Sequence, residues 1–576
     1  MKTANTLIIL LFGVCTLHAI ENNAQNPLSG VSEEVQQFLN QQVKSETQNL
    51  QKNKYTVDIL GRKKNSKKVT LISNAKAHKE KKIFVDIIDR KKNDYIEKTA
   101  SGKMVMDSHT GNSRLWFNGQ ELSSKDYDKT IKNFYGDRPY IPSVRTDSLS
   151  ATEIKNLING PDPVFISMHK KATSEMDVSS ILLKSQITTH AFTNSAKGNG
   201  IGIYFQEVGG CPHPYYTNGY YVADSAHSCS SYSSHATSVW QIIKNTAPEA
   251  TVFGFERPNG PGNPNNYSPT LEIATHSWSN DTSNSYTATD EGFDNDIYNN
   301  RIITFAAAGN LKSYMPTTNR NVKSPGKALN VIAVGAVDPQ NDYYASYSQW
   351  NNSVVGNEKP EVANYTDFQL NHDYEFSYTC DYGTCYYDGF INGTSAATPY
   401  TAAMTADLLS QYSFFKRHPE LVKALYLSSE KIPIPNASSH DPYNYTVAAK
   451  GIPVYSSLAW NHSFYWWNGQ NNCCFDGNNK ITFTEPINTG DHVRIAIAWL
   501  SNGTSLITNN YVIPQDIDLK VYQNGVPIET SQSSYNPFEV VDFTATSNDS
   551  LKIEIIRYSN NGSDNVILGY SLWVDR

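Results

Sequence analysis

The sequence predicts an α/β protein that ends in a run of antiparallel strands. Three observations carry that reading. Short apolar runs bounded by glycine or polar residues recur through the middle of the chain, at 201–205, 273–278, 302–308 and 331–337. Helix-compatible stretches with small or apolar residues, at 234–244 and 400–409, fall among and after them. From Phe464 the pattern changes to short alternating strands separated by turn signals. Strands interleaved with helices argue for an α/β core, and a closing block of alternating strands argues for a separate β-sandwich.

The chain has 576 residues, enough for roughly two to four domains. Residues 1–19 read as a secretory signal, with Lys2 at the start, an apolar run at 7–14 and the small Ala19 at the end. Export to an extracellular or periplasmic space is expected. No later stretch reaches about 18 consecutive apolar residues, so no membrane partner is expected. Seven cysteines occur. Outside the signal, Cys211 with Cys229 and Cys380 with Cys385 are plausible local bridges, and adjacent Cys473 and Cys474 form either a vicinal bridge or bonds elsewhere. Their spacing lacks paired C-x-x-C knuckles, so no metal site is expected from them.

The net charge of −7 hides an asymmetry. Residues 1–160 hold 25 Lys+Arg against 17 Asp+Glu, a balance of +8, and the rest of the chain carries −15. A basic block ahead of an acidic body suits a nucleic-acid arm or a segment that docks on its own protein. The lysines of 61–82 are interleaved with Val, Leu and Ile, which favours a folded domain and not a nucleic-acid arm. Residues 20–175 therefore read as an α+β region with strands at 54–60, 82–88 and 115–117 and a turn at Asn118-Gly119.

The string Asn392-Gly393-Thr394-Ser395-Ala396-Ala397-Thr398-Pro399 reads as a tight turn that delivers a serine to a helix start. A glycine there permits close backbone approach. Pro399 is expected in the opening turn, where N–H groups have no helical partner. The helix start places backbone donors and a positive dipole end beside Ser395. The string is similar to the nucleophile motif of the subtilisin-like serine peptidases, the subtilases. Further matches follow in that family's order of acid, histidine, serine. The strand at 201–205 runs into Gln206-Glu207-Val208-Gly209, which resembles the segment of the catalytic acid. Glu207 stands where the family has aspartate, and Asp224 is a fallback. Ser234-His235-Ala236-Thr237 resembles the histidine motif, with Ala236 where glycine is commoner. Ser277, Trp278 and Ser279 resemble the segment that pairs with substrate backbone, and Asn310 falls at the oxyanion position.

The resemblance implies a parallel-sheet peptidase domain over 176–462, preceded by the 20–175 proregion and followed by a jelly-roll-like β-sandwich over 463–576. It implies a peptide or protein substrate, and the proregion as the enzyme's own inhibitor. Ser395 would attack the peptide carbonyl, His235 would carry the proton, and Glu207 would orient the imidazole. Lys323 aligns with a small residue at the base of the pocket for the side chain before the scissile bond. Its ammonium either favours Glu or Asp there, with a maturation cut near Glu175 or Asp177, or reaches out to solvent. The chemistry needs no cofactor. Asp516 and Asp518 could bind a structural calcium with loop carbonyls, although turn chemistry is the commoner explanation of such residues. A catalytically inactive binding protein on the same scaffold is the alternative, supported by Glu207, and the closing sandwich is a candidate glycan- or protein-binding module. The related sedolisins carry acidic residues at the positions of His235 and Asn310, which sets this chain apart from them.

Overall fold

The computed structural model describes Leu39 and the chain from residue 82 on, apart from 90–98, 107–112, 136–143, 159–163, 169–172, 175–181, 183, 208–209, 214–231, 257–270, 280–285, 312–320, 352–356, 371–376, 381–382, 387–389, 438–447, 461, 471–472, 509–511, 562–563 and 576. The signal segment, the strand expected at 54–60, Asp224, Glu175, Asp177 and Cys229 all lie outside the described residues.

The centre is a sheet of mostly parallel strands. Thr251–Glu256, Gly202–Glu207, Leu271–His276, Ile303–Ala307 and Ile332–Asp338 lie side by side in that order. Each pairs in parallel with the next. Val362–Tyr365 adds a further parallel strand, and Tyr343–Tyr344 an antiparallel one, both on Ile332–Asp338. Gly202–Glu207, Leu271–His276 and Ile303–Ala307 are buried at every position. Parallel strands covered on both faces need such continuous apolar runs, which is why these segments lack alternation in the sequence. The helices Ser234–Thr246 and Thr394–Gln411 pack against each other and, with the sheet, enclose one apolar core. Ala396, Ala397, Ala402, Ala403 and Ala406 are buried in it, as their small size requires for a helix in a crowded interior.

Two antiparallel sheets follow. One runs Phe538–Thr544, His492–Trp499, Val566–Asp575, His462–Gly469, Ala100–Met106, Ser113–Phe117 and Gln120–Leu122. The other runs Lys480–Glu485, Leu551–Asn560, Gln515–Gln523 and Val526–Ser531. They share a core in which Val493, Ile495, Ile497 and Leu568 of the first meet Ile517, Leu519, Ile553 and Ile555 of the second. The hairpin expected at Asn524-Gly525 is present, with φ of 52° and 74°, the pair of positive values a two-residue turn needs.

Two features depart from the sequence reading. Ala100–Met106, Ser113–Phe117 and Gln120–Leu122 come from the basic first region but sit in the first antiparallel sheet, where Ala100–Met106 pairs with His462–Gly469 and carries the other two strands in turn. Met104 and Leu115 face the core there, so these strands close an apolar surface that 463–576 alone leaves open. Pro399 lies one turn further into its helix than expected, because the helix begins at Thr394. Cys473 and Cys474 are bonded to each other, and Cys211 is disulfide-bonded.

Candidate active site

The candidate residues gather at the carboxyl ends of the parallel strands, where an open α/β sheet leaves a crevice. Glu207 is the last residue of its strand. His235 is the second residue of the neighbouring helix, whose N-cap Ser233 accepts a hydrogen bond from Ala236 N at 3.3 Å. Strand end and helix start meet so that His235 Nδ1 and Glu207 Oε2 stand 2.5 Å apart, both fully buried. The longer glutamate side chain thus spans the distance to the imidazole. A buried carboxylate on Nδ1 holds the ring in one tautomer and leaves Nε2 as the reactive nitrogen.

Ser395 is the second residue of the helix Thr394–Gln411 and is 1% exposed. Gly393, just before that helix, has φ 95°. A Cβ on it would stand 2.5 Å from Asn310 Nδ2, so only glycine admits both the dihedral and the amide. Gly393 is fixed on both sides: its N–H donates to Tyr347 Oη at 3.1 Å, and its carbonyl accepts from Thr366 Oγ1 at 3.0 Å.

Asn310 follows the strand Ile303–Ala307. Its Oδ1 accepts from Thr394 N at 2.9 Å and from Thr394 Oγ1 at 3.1 Å, and Thr394 Oγ1 in turn accepts from Gly309 N at 3.1 Å. With Oδ1 committed twice, the amide presents Nδ2 beside Gly393 and the start of the Ser395 helix. The Ser395 N–H belongs to the first turn, where a helix offers it no partner. Both groups therefore lie at the start of the Ser395 helix.

Pro399 has a consequence that its position in the sequence already carried. Proline has no N–H, so the carbonyl four residues earlier loses its helical donor. That carbonyl belongs to Ser395. Ser277 Oγ donates to it at 2.7 Å, and Ser395 Oγ donates to Ser277 O at 3.1 Å. Ser277 is therefore tied to the backbone of the serine, a link that reading Ser277 only as a substrate contact missed. The signal was Pro399 at the fourth position after Ser395.

Trp278–Ser279 forms a short antiparallel ladder with Thr173–Ser174, Trp278 opposite Ser174 and Ser279 opposite Thr173. Trp278 is itself buried, edge-on to His276 and Phe293 at 5.7 and 6.2 Å. Lys323 is 5% exposed, and its Cδ would lie 3.4 Å from a Cβ on Gly309, next to Asn310. Its stem does not run out to the surface.

Asp516 and Asp518 lie in the strand Gln515–Gln523 of the second antiparallel sheet, apart from this crevice. Gln532 Nε2 donates to Asp518 at 2.9 Å. Among the described residues no group of three or more His, Cys, Asp or Glu side chains is placed to hold a metal ion.

A buried serine at a helix start, an amide held beside it and a histidine–carboxylate pair are the parts of a serine-nucleophile site. Residues 259–451 match the model of the Subtilase family, so this stretch carries subtilase sequence, which supports a serine peptidase of the hydrolase class. That stretch contains Ser277, Asn310, Lys323 and Ser395, whereas Glu207 and His235 precede it. Fervidolysin from Fervidobacterium pennivorans, described as a keratinolytic enzyme related to subtilisin, is 12% identical with a TM-score of 0.37, covering 83% of this chain and 78% of its own. The MycP3 protease of a type VII secretion system is 17% identical with a TM-score of 0.34, covering 51% and 92%. The subtilisin-like protease Apa1 from Pseudoalteromonas sp. AS-11 is 13% identical with a TM-score of 0.32, covering 49% and 96%. No curated protein matches the chain.

Proposed function

We propose that the chain is a secreted serine endopeptidase in which Glu207 replaces the usual aspartate of the triad. The observation that carries this reading is the 2.5 Å contact of Glu207 with His235 Nδ1, out of water. Ser395 Oγ attacks the substrate carbonyl as His235 Nε2 takes its proton, and Glu207 stabilises the imidazolium that forms. Before attack Ser395 Oγ leaves the Ser277 carbonyl. Asn310 Nδ2 and the Ser395 N–H hold the oxygen of the tetrahedral intermediate, with Thr394 keeping the amide turned. Ser277 holds the Ser395 backbone through the carbonyl that Pro399 frees. His235 then protonates the leaving amine, and water releases the acyl group.

The ladder between Thr173–Ser174 and Trp278–Ser279 supports an extended substrate that adds as a strand at the same edge. It also supports a form of the protein in which the N-terminal region lies over its own crevice, before a cut near Glu175 or Asp177. The two C-terminal sheets are read as a jelly-roll-like sandwich that supports this domain.

Specificity follows from Lys323. Its burial beside Gly309 keeps the charge near the base of the pocket, where a partly desolvated ammonium favours an acidic side chain and repels a cationic one. The test is a peptide library incubated with the mature protein, with Ser395→Ala as blank. Cleavage after Glu or Asp is expected to exceed cleavage after Phe or Leu by about ten-fold or more, one buried charge contact, and Lys323→Gly should reverse the order. A preference for Phe or Leu that Lys323→Gly leaves unchanged rejects the assignment. No cleavage of any peptide beyond the blank favours the inactive scaffold.

A further inference from the structure

The N-terminal region divides between two bodies. Lys82–Asp89, Val144–Ser150 and Val164–Met168 form a three-stranded antiparallel sheet that rests against the helix Ala288–Asn300. The intervening Ala100–Met106, Ser113–Phe117, Gln120–Leu122 and Ser124–Tyr135 belong elsewhere. Ala100–Met106 is an interior strand of the large antiparallel sheet. It pairs from Ala100 opposite Asn468 to Val105 opposite Ser463, and carries Ser113–Phe117 on its other side.

The fit of this insert is that of a core and not of a docked inhibitor. Ala100, Met104, Met106, Leu115, Tyr127 and Ile131 are buried in the same apolar cluster as the Ser395 helix. Trp466 is fully buried over Gly102, where an added Cβ would stand 2.2 Å from its Nε1. That Nε1 donates to Tyr127 Oη at 2.9 Å, and the His418 ring stacks on Trp466 with centroids 4.4 Å apart. Removing Ala100–Met106 would leave His462–Gly469 with an unpaired edge and Trp466 without its cover, which is the exposure folded sheets avoid.

The path of the chain is therefore inhibitor strand, permanent layer, inhibitor strands, crevice. We infer that residues 99–135 are a permanent part of the mature protein, so that the cut near Glu175 or Asp177 yields a two-chain particle and not a shed proregion. The cut adds one water across one peptide bond, leaving a carboxylate on the N-terminal piece and an amine on the body. The piece stays through the Ala100–Met106 ladder and the Trp466 seat. The three-stranded sheet can then leave Ala288–Asn300 while remaining tethered, at an effective concentration on the order of millimolar. Because the hold is apolar contact and backbone hydrogen bonding, raised salt does not release it.

This inference rests on the maturation cut proposed above, and its test is made independent of self-cleavage. A recognition sequence for an unrelated protease is placed within 175–181 of the full chain carrying Ser395→Ala, and the protein is cut with that protease. The expected result is one peak on native size exclusion at low and at about 1 M salt, resolving into two chains in denaturant. Gly102→Val should speed release of the piece by at least ten-fold, and the milder Tyr127→Phe should speed it measurably with the fold intact. An N-terminal piece that elutes alone while the body remains folded overturns the inference. Failure of the parent chain to cut itself would count against the peptidase reading and leave this result standing.

Discussion

The strand Leu271–His276 and the strand His492–Trp499 are both covered on two faces, yet they bury different chemistry. The second puts Val493, Ile495, Ile497 and Trp499 into the core shared by the antiparallel sheets. Its opposite face sets Ala496 and Ala498 against Ala424 and Leu427 of the helix Pro419–Ser428. The parallel sheet ends instead in buried polar groups: Glu207, His235, Ser277, Asn310, Thr394 and Ser395. Behind them Lys359 and Lys423 share Glu361 Oε1 at 2.7 and 3.0 Å, out of water, and burial pushes the Lys359 ammonium down to about 8 against the pull of Glu361. Buried polar groups cost stability unless partnered. In the antiparallel half the buried charges of the same strand are paired off, as Arg494 is with Glu430 at 2.8 Å, whereas the parallel sheet gathers hydroxyl, amide, imidazole and carboxylate groups of the candidate site at its end.

Substitutions sharpen that contrast. Glu207→Ala in the mature protein should lower kcat by about ten-thousand-fold, since the imidazole loses both orientation and charge, while Glu207→Asp keeps measurable turnover. Equal rates for Glu207→Ala and parent would return attention to Asp224. Asn310→Ala should lower kcat by about a hundred- to a thousand-fold with little change in KM. Thr394→Val, which removes the hydroxyl bonded to Asn310 and Gly309, should cost about ten-fold, the worth of one hydrogen bond. A rise in KM with kcat unchanged would remove Thr394 from that role.

The apolar half yields the smallest effect, and it is one of stability. Glu539 accepts from Ser531 Oγ and Ser533 N, and burial pushes its carboxyl up to about 8, with Asp518 and Asp516 adding to the rise. Below the ordinary value of 4.5 both folded and unfolded chains hold the proton. Between there and about 8 only the folded chain holds it, so stability falls as pH rises through that window and levels off above it. Glu539→Gln should lack this decline. Urea midpoints at both ends of the window check it: the difference between variant and parent must grow in favour of the variant toward the alkaline end.

Much of this was legible in the sequence, for physical reasons. Gly393 before Ser395, the order Glu207, His235, Ser395, and the apolar runs of a two-face-covered sheet are local signals, and local signals survive in one dimension. The Asn524-Gly525 turn is another. What did not read out was pairing across long separations. Nothing local in Ala100–Met106 says that its partner is His462–Gly469, because strand pairing depends on complementary faces that many segments share. The Ser277–Ser395 link was hidden for a different reason. Pro399 announces a carbonyl without a donor, but only the fold says which hydroxyl supplies one.

The central claim is that Glu207, through His235, activates Ser395. Labelling by a serine-directed phosphonate tests it most directly, read by mass spectrometry at Ser395. The account predicts rapid labelling of the mature protein, none in Ser395→Ala, labelling slowed by orders of magnitude in Glu207→Ala, and substantial recovery in Glu207→Asp. Labelling of Ser395 at the parent rate in Glu207→Ala, or no labelling of the mature protein at all, would contradict it.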